Sequence, residues 1–315
     1  MSTSAKRAPA KTFNLADVDL RLLKVLHAVV RAGGFSAAQS ELGLSAATIS
    51  NHMARLEERL GVRLCERGRR GFSLTEDGAR IHDASLSLFR SIDNFSGIVG
   101  SVRGELTGQV YFGTVDAMYT NTALALPRAL QRFHDMAPKV LINIETASPQ
   151  QLHQRLLHGR YFLILTPIQA PDTSIRARPI FEEAQALYCG REHPLFKVAQ
   201  HKLKPAMLGD HPYAARSYMP DWSSPDGVMF QPAAMTAHME SLAMLILSGR
   251  YLGYLPCHYA RSWEESGEMR SLLPEQMSYI DTFYLAHLAH EKNRAMATLA
   301  DCIWDLVGAQ PMPRY

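Results

Sequence analysis

Residues 35–78 read FSAAQSELGLSAATISNHMARLEERLGVRLCERGRRGFSLTEDG, and this stretch decides how the first part of the chain folds. Gly43 suits the left-handed position of a tight turn between two helices. Ser36 is the expected N-cap of the short helix before the turn, and Ser45 that of the longer helix after it. The longer helix has one apolar stripe at steps of four, three and four residues: Ile49, Met53, Leu56 and Leu60. The pattern predicts a helix-turn-helix.

The face opposite this stripe is small and polar near the start of the longer helix. Small side chains allow a helix to approach base edges in the major groove, and Thr and Asn supply donors and acceptors that read them. The expected DNA contacts of the helix-turn-helix are Ser36, Ser45, Ala46, Ala47, Thr48, Ser50, Asn51 and Arg55. The pattern also predicts an earlier helix, with Asp19 as its expected N-cap and Gly33-Gly34 as its end.

Two short alternating runs follow Gly61 and flank a basic tip, GRRG, at residues 68–71. Such runs around a tip bounded by glycines predict a β-hairpin. Arg67, Arg69 and Arg70 would then project toward phosphates or into the minor groove. The sequence therefore predicts a winged helix-turn-helix DNA-binding domain over residues 15–75.

The quoted stretch resembles the DNA-binding domain of LysR-type transcriptional regulators. The matching residues stand at fixed spacing: Ala37, Ala38, Leu42, Ser45, Ile49, Ser50, Leu56, Glu57, Leu60, Gly61, Leu64, Arg67, Leu74, Thr75 and Gly78. Ala46-Ala47, Asn51 and Cys65 depart from the usual pattern, which bears on the bases that are read. The resemblance implies sequence-specific binding to double-stranded promoter DNA by a homodimer, commonly paired into a homotetramer.

The distribution of charge along the chain agrees with a DNA-binding domain at residues 15–75 and a different domain after it. Residues 1–75 hold 12 Lys and Arg against 6 Asp and Glu, a net charge of +6, whereas residues 76–315 hold 21 against 24, a net charge of −3. A basic head on a mildly acidic body is typical of a nucleic-acid-binding domain joined to a domain with another task. The alternative on charge alone is a merely soluble basic surface.

A long linker helix is predicted over residues 76–103, starting after Thr75. Its apolar positions alternate steps of four and three residues, interrupted only by Ser85, which is the seam of a coiled coil. We expect dimerisation through Ile81, Leu88, Ile92, Phe95 and Val99. The alternative is a partner helix in the same chain, which would favour a wider stripe. A dimer supplies two recognition helices for a two-fold operator.

Beyond a predicted hinge at residues 104–109, strands alternate with helices of ten to fifteen residues. The predicted strands are 110–112, 140–145, 161–166, 186–189, 251–255 and 280–287, and the predicted helices are 124–134, 149–158, 239–248 and 293–307. This alternation predicts an α/β domain over residues 110–315, with a parallel sheet and crossover helices. We expect two subdomains, one of about 110–166 with 275–315 and one of about 167–274. Two such subdomains that face each other would enclose a small molecule.

Residues 188–195, YCGREHPL, and 248–256, SGRYLGYLP, resemble the effector-binding domain of LysR-type regulators, which is itself similar to periplasmic binding proteins. The family's inducer lies at the first strand-to-helix turn and at the facing edge of the second subdomain. Carried onto this sequence, these regions give as effector contacts Asp116, Thr120, Asn121, Thr122, Thr166, Arg216, Thr236 and His238.

The chemistry of these residues leaves the effector's charge open. Thr120, Asn121 and Thr122 would either hold an anion at a helix N-terminus or only cap that helix. Arg216 would pair with a carboxylate or lie on the surface. Asp116 would instead favour a cationic or hydrogen-bond-donating group.

Other functional classes find little support. The four cysteines include no Cys-x-x-Cys pair, and HLAHE at 287–291 lacks the order of a zinc helix. With no nucleophile elbow and no phosphate loop, we expect no catalytic site, no metal and no cofactor. No apolar run is long enough to cross a membrane, and residues 1–14 suggest a disordered leader of a cytoplasmic protein. The main alternative is a small-molecule-binding module without DNA regulation; an enzyme ranks behind it.

Overall fold

The computed structural model describes residues 13–68, 71–167, 173–219 and 224–308. Residues 1–12 of the expected leader, and Arg69 and Arg70 at the tip of the expected wing, lie outside this part. Contacts within the chain divide it into two units, one that ends at Phe89 and one that begins at Arg90.

The first unit is a helical core with a two-stranded hairpin. Its elements are α1 (Asp17–Ala32), α2 (Gln39–Leu42), α3 (Ala46–Leu60), β1 (Cys65–Gly68), β2 (Gly71–Leu74) and the first part of α4 (Glu76–Val102). The stripes of α1 and α3 meet in one core, where Leu26, Val29, Ile49, Met53 and Leu56 are fully buried. Strands β1 and β2 pair antiparallel. The predicted winged helix-turn-helix is confirmed.

The start of α1 differs from the prediction because Asp19 has another partner. The helix begins at Asp17 with Ala16 as its N-cap, so Asp19 stands within the first turn, where its carboxylate accepts a hydrogen bond from the N–H of Ala16 at 2.8 Å. Both Nε and NH2 of Arg59 also donate to this buried carboxylate. The Arg59 hydrogen bonds hold the pKa of Asp19 below its ordinary value. The pair fastens α1 to the end of α3.

The first part of α4 packs against α1 within the same unit. Leu88 and Phe89 contact the core, and Ser85, the polar position of the predicted seam, is buried. The Ser85 hydroxyl donates to the carbonyl of His82 at 2.7 Å, so the Nε2–H of His27 donates to Ser85 Oγ, also at 2.7 Å. Burial lowers the pKa of His27 to about 4, and this imidazole is therefore neutral at pH 7.

The second unit is a mixed α/β domain. Besides the rest of α4, its elements are β3 (Gly108–Thr114), α5 (Leu126–Met136), β4 (Val140–Thr146), α6 (Pro149–Leu157), β5 (Leu163–Pro167), β6 (Ile175–Gly190), α7 (Pro205–Leu208), β7 (Tyr213–Arg216), β8 (Pro232–Thr236), α8 (Met239–Leu247), β9 (Gly253–Pro256), α9 (Cys257–Glu265), β10 (Met269–Ser271), β11 (Tyr279–Leu288) and α10 (Arg294–Gly308). Short 3-10 turns stand at Met118–Thr120, Pro194–Lys197 and Gln200–Lys202.

The sheet is mixed, and the expectation of a parallel sheet holds for only part of it. Its strand order is β4-β3-β5-β11-β6-β10, with β9 also paired to β6. β3 pairs parallel with β4 and β5, as do β7 and β8 with each other, but β11 runs antiparallel to both β5 and β6. The unit has a first lobe around a core that includes Phe112 and Leu163, and a second lobe around cores that include Leu187 and Leu255. β11 returns from the second lobe to the first and therefore enters the sheet in the opposite direction.

Two long strands join the two lobes of this unit. β6 contributes Phe181 to the core of the first lobe and Leu187 to a core of the second. β11 likewise brings Phe283 to the first core and is preceded by Met277 in the second. The middle of each strand therefore lies between the lobes, which is where a ligand cleft is expected.

Candidate DNA-binding surface and effector cleft

The start of α3 is held by two side-chain hydrogen bonds. Ser45 Oγ accepts from the N–H of Thr48 at 3.1 Å, which makes Ser45 the predicted N-cap. Gln39 Oε1, on α2, accepts from the N–H of Ala46 at 3.1 Å. Because both bonds satisfy N–H groups that a helix start leaves open, the first turn of α3 has a defined orientation.

The outer face of α3 presents the side chains expected to read DNA. Ala47, Asn51 and Arg55 are exposed, whereas Ala46, Thr48 and Ser50 are half-buried. One turn or more of helix therefore carries small and amide side chains on a surface that the described chain does not cover. This is the geometry of a recognition helix.

Other expected DNA contacts have different local roles or fall outside the description. Ser36 is exposed but does not cap α2, which begins at Gln39 after Ala38. Its carbonyl instead accepts from the Gln39 side chain at 3.1 Å, because the chain at Ser36 is still in the turn after α1. Arg67 stands on β1, and its side chain lies outside the described atoms.

Glu57 connects α3 to the wing by hydrogen bonds. In the sequence, Glu57 stood out only as a match to the family. Its carboxylate Oε1 accepts from the N–H groups of Leu64, at 2.7 Å, and Cys65, at 3.3 Å. These N–H groups lead directly into β1. A carboxylate near the end of the recognition helix thus sets where the hairpin begins.

The outer half of α4 carries an apolar stripe. Ile92, Phe95, Ile98 and Val102 are exposed large hydrophobic residues, with Phe95 66% exposed. The predicted seam residues therefore divide into two groups: Ile81 and Leu88 pack on the core of the first unit, and Ile92 and Phe95 face outward with the half-buried Val99 beside them. No part of the chain that the structure describes covers this outward stripe.

A cavity of about 270 Å³ lies between the lobes of the second unit. Its floor comes from the middle of the two long strands, with Glu183 and Gln185 on β6 and Asp281 on β11. Arg216, at the end of β7, and Asp116, just after β3, line its walls. Ionisable groups of both signs therefore converge on one small cleft.

Arg216 is buried in this cleft with part of its guanidinium unused. It is 6% exposed, and its NH2 donates to Gln185 Oε1 at 2.6 Å and to the carbonyl of Tyr254 at 3.1 Å. Its Nε has no hydrogen-bond partner among the described residues. Burial opposes its charge, but the neighbouring Tyr279 and Tyr218, followed by Asp281 and Glu183, outweigh the burial and raise the pKa of Arg216.

A chain of hydrogen bonds connects Thr120 in the first lobe to the cleft floor. The Thr120 hydroxyl lies 2.8 Å from His258 Nδ1, and His258 Nε2 lies 2.8 Å from Glu183 Oε1. Because an ionised carboxylate only accepts, the Nε2–H of His258 donates to Glu183. Glu183 also accepts from Gln185 Nε2 at 2.6 Å.

The expected anion-binding loop is occupied by the chain's own groups. The Asp116 carboxylate accepts from the N–H of Met239, at the start of α8, at 2.6 Å. Asn121 Oδ1 accepts from the N–H groups of Ala123 and Leu124 at 3.1 and 3.2 Å and so closes a local turn. It does not cap α5, whose N-cap is Ala125 without a side-chain hydrogen bond.

The structure brings only some of the expected effector contacts together. Thr122 is exposed, Thr166 is buried with its hydroxyl donating to the carbonyl of Pro167, and Thr236 Oγ1 accepts from the N–H of His238. None of these three threonines is part of the lining described for the 270 Å³ cavity. His238, Asp116 and Thr120 line a neighbouring, more open cavity of about 530 Å³.

The cleft's main ionisable residues were missed by sequence reasoning, apart from Arg216 and Asp116. Glu183 and Gln185 alternate along a largely apolar strand, and Asp281 interrupts another one. Polar side chains on the inward face of such strands need partners, so they were a usable signal of a site. His258 carried no comparable signal, since it lies in α9, a helix that was not predicted.

A winged helix-turn-helix in one unit and a two-lobed α/β domain with a charged cleft in the other define a ligand-responsive transcriptional regulator. The chain belongs to the LysR family of bacterial transcriptional regulators. The LysR substrate binding domain matches residues 103–308, and the bacterial regulatory helix-turn-helix protein domain of the lysR family matches residues 20–79.

Individual relatives agree with this assignment. The chain is 34% identical over 270 residues to the HTH-type transcriptional activator BauR of Pseudomonas aeruginosa, covering 84% of this chain and 87% of BauR. Among solved structures, CbnR, a LysR family transcriptional regulator, aligns with a TM-score of 0.65 at 17% identity over 91% of this chain and 99% of CbnR. A full-length OxyR variant from Pseudomonas aeruginosa aligns with a TM-score of 0.59 at 18% identity over 96% of this chain and its own full length.

Two further findings concern the classes set aside earlier. Across the described ranges, no helix combines the length and apolarity needed to cross a membrane. Within the same ranges no group of three or more His, Cys, Asp or Glu side chains is placed to hold a metal ion. Glu291, in the histidine-rich segment, accepts from the N–H groups of Lys292 and Asn293, both at 2.9 Å.

Proposed function

We propose that the chain binds a promoter operator through residues 15–75, dimerises through residues 76–103, and is controlled by a small molecule held between the lobes of residues 110–315. One observation carries the proposal: the same chain presents an N-capped α3 with an exposed polar face and a cleft in which the buried Arg216 has an unused donor. The first feature suits base readout, and the second suits a bound metabolite.

For DNA binding we assign two roles to the expected contacts. Small, hydroxyl and amide side chains on α3 read base edges, because such side chains fit into the major groove. They are Ala46, Ala47, Thr48, Ser50 and Asn51. Four arginines contact phosphates or the minor groove: Arg55, Arg67, Arg69 and Arg70. Such contacts fix the register of the protein on the DNA without carrying sequence information directly. Ser45 lies at the start of α3 and Ser36 in the turn before α2, and both would approach the phosphate backbone of the DNA.

For the effector we assign the 270 Å³ cleft, with Arg216 and Asp116 among the expected contacts nearest to it. A ligand bound there touches both lobes and so favours one relative arrangement of them over another. We propose that this change alters the spacing of protomers, or the bend of the bound DNA, and thereby activates or represses a nearby gene.

The oligomer, the compartment and the absence of catalysis belong to the same proposal. The outward stripe on α4 would be buried by a second copy of the chain, giving a dimer, with pairing into tetramers as the family resemblance implies. A regulator of bacterial DNA works in the cytoplasm. Its task needs binding and conformational change and no turnover of the effector.

A gel-shift experiment tests the central claim against a binding module without DNA regulation. The full chain is mixed at low salt with labelled DNA that flanks its own gene and with a shuffled duplex of equal composition. Retarded migration of the first at tenfold lower protein concentration supports the proposal. Equal migration of both, or no complex at all, contradicts it.

Variants divide the contacts into readout and phosphate binding. Arg69→Ala with Arg70→Ala should weaken binding to both duplexes and reduce the slope of log K against log salt by about 1 per lost phosphate contact. Asn51→Ala should reduce the preference between the duplexes and leave the slope unchanged. Arg261→Ala, an exposed arginine of the second unit, is the matched control and should change neither.

A further inference from the structure

Among the described residues, two charged groups that line the cleft have polar atoms without a hydrogen-bond partner, Arg216 and Asp281. Arg216 Nε is a buried donor without an acceptor in the described chain. The Asp281 carboxylate forms neither a hydrogen bond nor an ion pair with any described group, although burial and nearby Glu183 raise its pKa and Arg216 opposes the rise. Opposite charges thus face the same cavity without meeting each other.

The sheet register is a second, independent indication that the cleft binds a positively charged group. Glu183 on β6 and Asp281 on β11 are direct partners in the antiparallel ladder, so their side chains leave the same face of the sheet. Like charges directly opposite each other destabilise a sheet unless something lies between them. His258 donates to Glu183, but no described cation lies within ion-pair distance of Asp281.

We propose that the effector is a small zwitterion, an amino acid, whose ammonium group lies against Asp281 and Glu183 and whose carboxylate accepts from the Arg216 guanidinium. This inference rests on the proposed effector role of the cleft and adds the ligand's charge. A dianion would face the two carboxylates, and a dication would face Arg216, so each would meet repulsion at one end. A zwitterion satisfies both unpaired groups at once.

The other carboxylates of the cleft already accept hydrogen bonds within the described chain, so Asp281 is the main anchor of the ammonium group and Glu183 adds its charge from the paired position on β6. Asp116 accepts from the N–H of Met239, and Glu183 accepts from both His258 and Gln185. The cavity of about 270 Å³ is slightly smaller than the roughly 300–1,000 Å³ typical of pockets for drug-sized ligands. The ligand is therefore a small metabolite, not much longer than the distance between the charges of Asp281 and Arg216.

A panel of ligands of matched length tests the charge assignment. Thermal shift and calorimetry on the full chain compare α- and ω-amino acids of two to six carbons with the N-acetyl derivative and the amide of each. The carboxylic acids, diacids, diamines and hydroxy acids of the same lengths complete the panel. We expect at least one amino acid to bind at least tenfold more tightly than its N-acetyl derivative and its amide. A best ligand that lacks either charge, or no binding by any amino acid, overturns the proposal.

Asp281→Asn identifies the residue that holds the ammonium group. The variant should lose at least tenfold in affinity for the amino acid while its affinity for the N-acetyl derivative stays within twofold of the unmodified chain. Asp135→Asn, the same change at an exposed site on α5, is the matched control and should bind both ligands unchanged. An equal loss for both ligands in Asp281→Asn would mean that Asp281 only supports the structure.

The failure of this inference is distinguishable from failure of the proposed function. If a ligand of another charge type raises Tm and alters the gel-shift complex, the cleft is still the effector site and only the zwitterion is wrong. If an amino acid binds as expected while the chain forms no specific DNA complex, the regulator proposal fails and the ligand assignment stands.

Discussion

The carboxylate of Asp116 accepts a hydrogen bond from the backbone N–H of Met239 at 2.6 Å, and the two residues belong to different lobes of the second unit. Asp116 follows β3 in the first lobe, whereas Met239 is the first residue of α8 in the second. An acidic side chain from one lobe therefore takes the place of an N-cap side chain in the other. His238, the residue before α8, makes no side-chain cap of its own.

Asp116→Ala should lower the stability of the second unit by about 1 kcal/mol, since it removes a charge-assisted cap from α8. Asp116→Asn should cost less than half as much, because an amide oxygen can still accept from the N–H of Met239. Urea unfolding of the full chain, followed by far-UV circular dichroism, measures both. Equal losses in the two variants would show that the charge and not the hydrogen bond matters.

Local signals account for what the sequence predicted well. Gly43 adopts a φ of +64° and Ser45 caps α3, because a glycine turn and a hydroxyl cap act within a few residues of the chain. Most helices and strands of the second unit also fall within a few residues of the predicted bounds. Apolar periodicity is sufficient where each element packs one face on a core.

Non-local pairing accounts for what was missed. Only 186–189 of β6 read as a strand, but the structure extends it from Ile175 to Gly190 because β11 pairs along it over a register that begins nearly a hundred residues away. The same register brings Asp281 opposite Glu183. The sequence of neither segment shows that these two residues are paired, so the charges of the cleft could be identified only from the fold. The antiparallel course of β11 was hidden for the same reason.

His27 should make the first unit sensitive to mild acid. Its pKa is lowered to about 4 by burial against an ordinary value of 6.5, so the unfolded chain binds the proton first as pH falls. The stability that neutral His27 contributes is complete above pH 6.5 and is lost progressively between 6.5 and 4. The loss should reach about 1 kcal/mol at pH 5.5.

His27→Gln isolates that contribution, because a glutamine amide can still donate to Ser85 but does not titrate. Urea midpoints at pH 7.5 and pH 5.5 should differ less for this variant than for the unmodified chain. His134→Gln, an exposed histidine, is the control and should keep the full difference. Burial also lowers the pKa of His193 in the second unit to about 4, so part of the acid sensitivity should persist in both variants.

Gly78 stands where α4 passes the start of the wing. A Cβ there would lie 1.9 Å from the carbonyl oxygen of Leu64, which already accepts from the N–H of Thr75. Gly78→Ala should therefore cost about 2 kcal/mol in stability and weaken DNA binding, because backbone has to move.

Gly97→Ala is the matched control on the same helix, since its Cβ would come no closer than 3.4 Å to the nearest atom, the carbonyl oxygen of Thr107. Alanine is the better helix former by up to about 1 kcal/mol, so this variant should be as stable as the unmodified chain or slightly more stable. If the two variants have equal urea midpoints, the contact between Gly78 and Leu64 does not position the wing.

The outward stripe on α4 should hold the dimer together. Phe95 is 66% exposed and Ile92 38% exposed, while Ile81 and Leu88 of the predicted seam already pack on the first unit. A charge at position 95 would be buried in the dimer without a partner, which costs far more than an exposed charge in the monomer.

Phe95→Asp should therefore halve the mass measured by light scattering at micromolar concentration and lower the affinity for a two-fold operator. Ala79→Asp, at an exposed position on another face of the same helix, should leave the mass unchanged. A Phe95→Asp protein that keeps the mass of the unmodified chain would mean that protomers associate through a different surface.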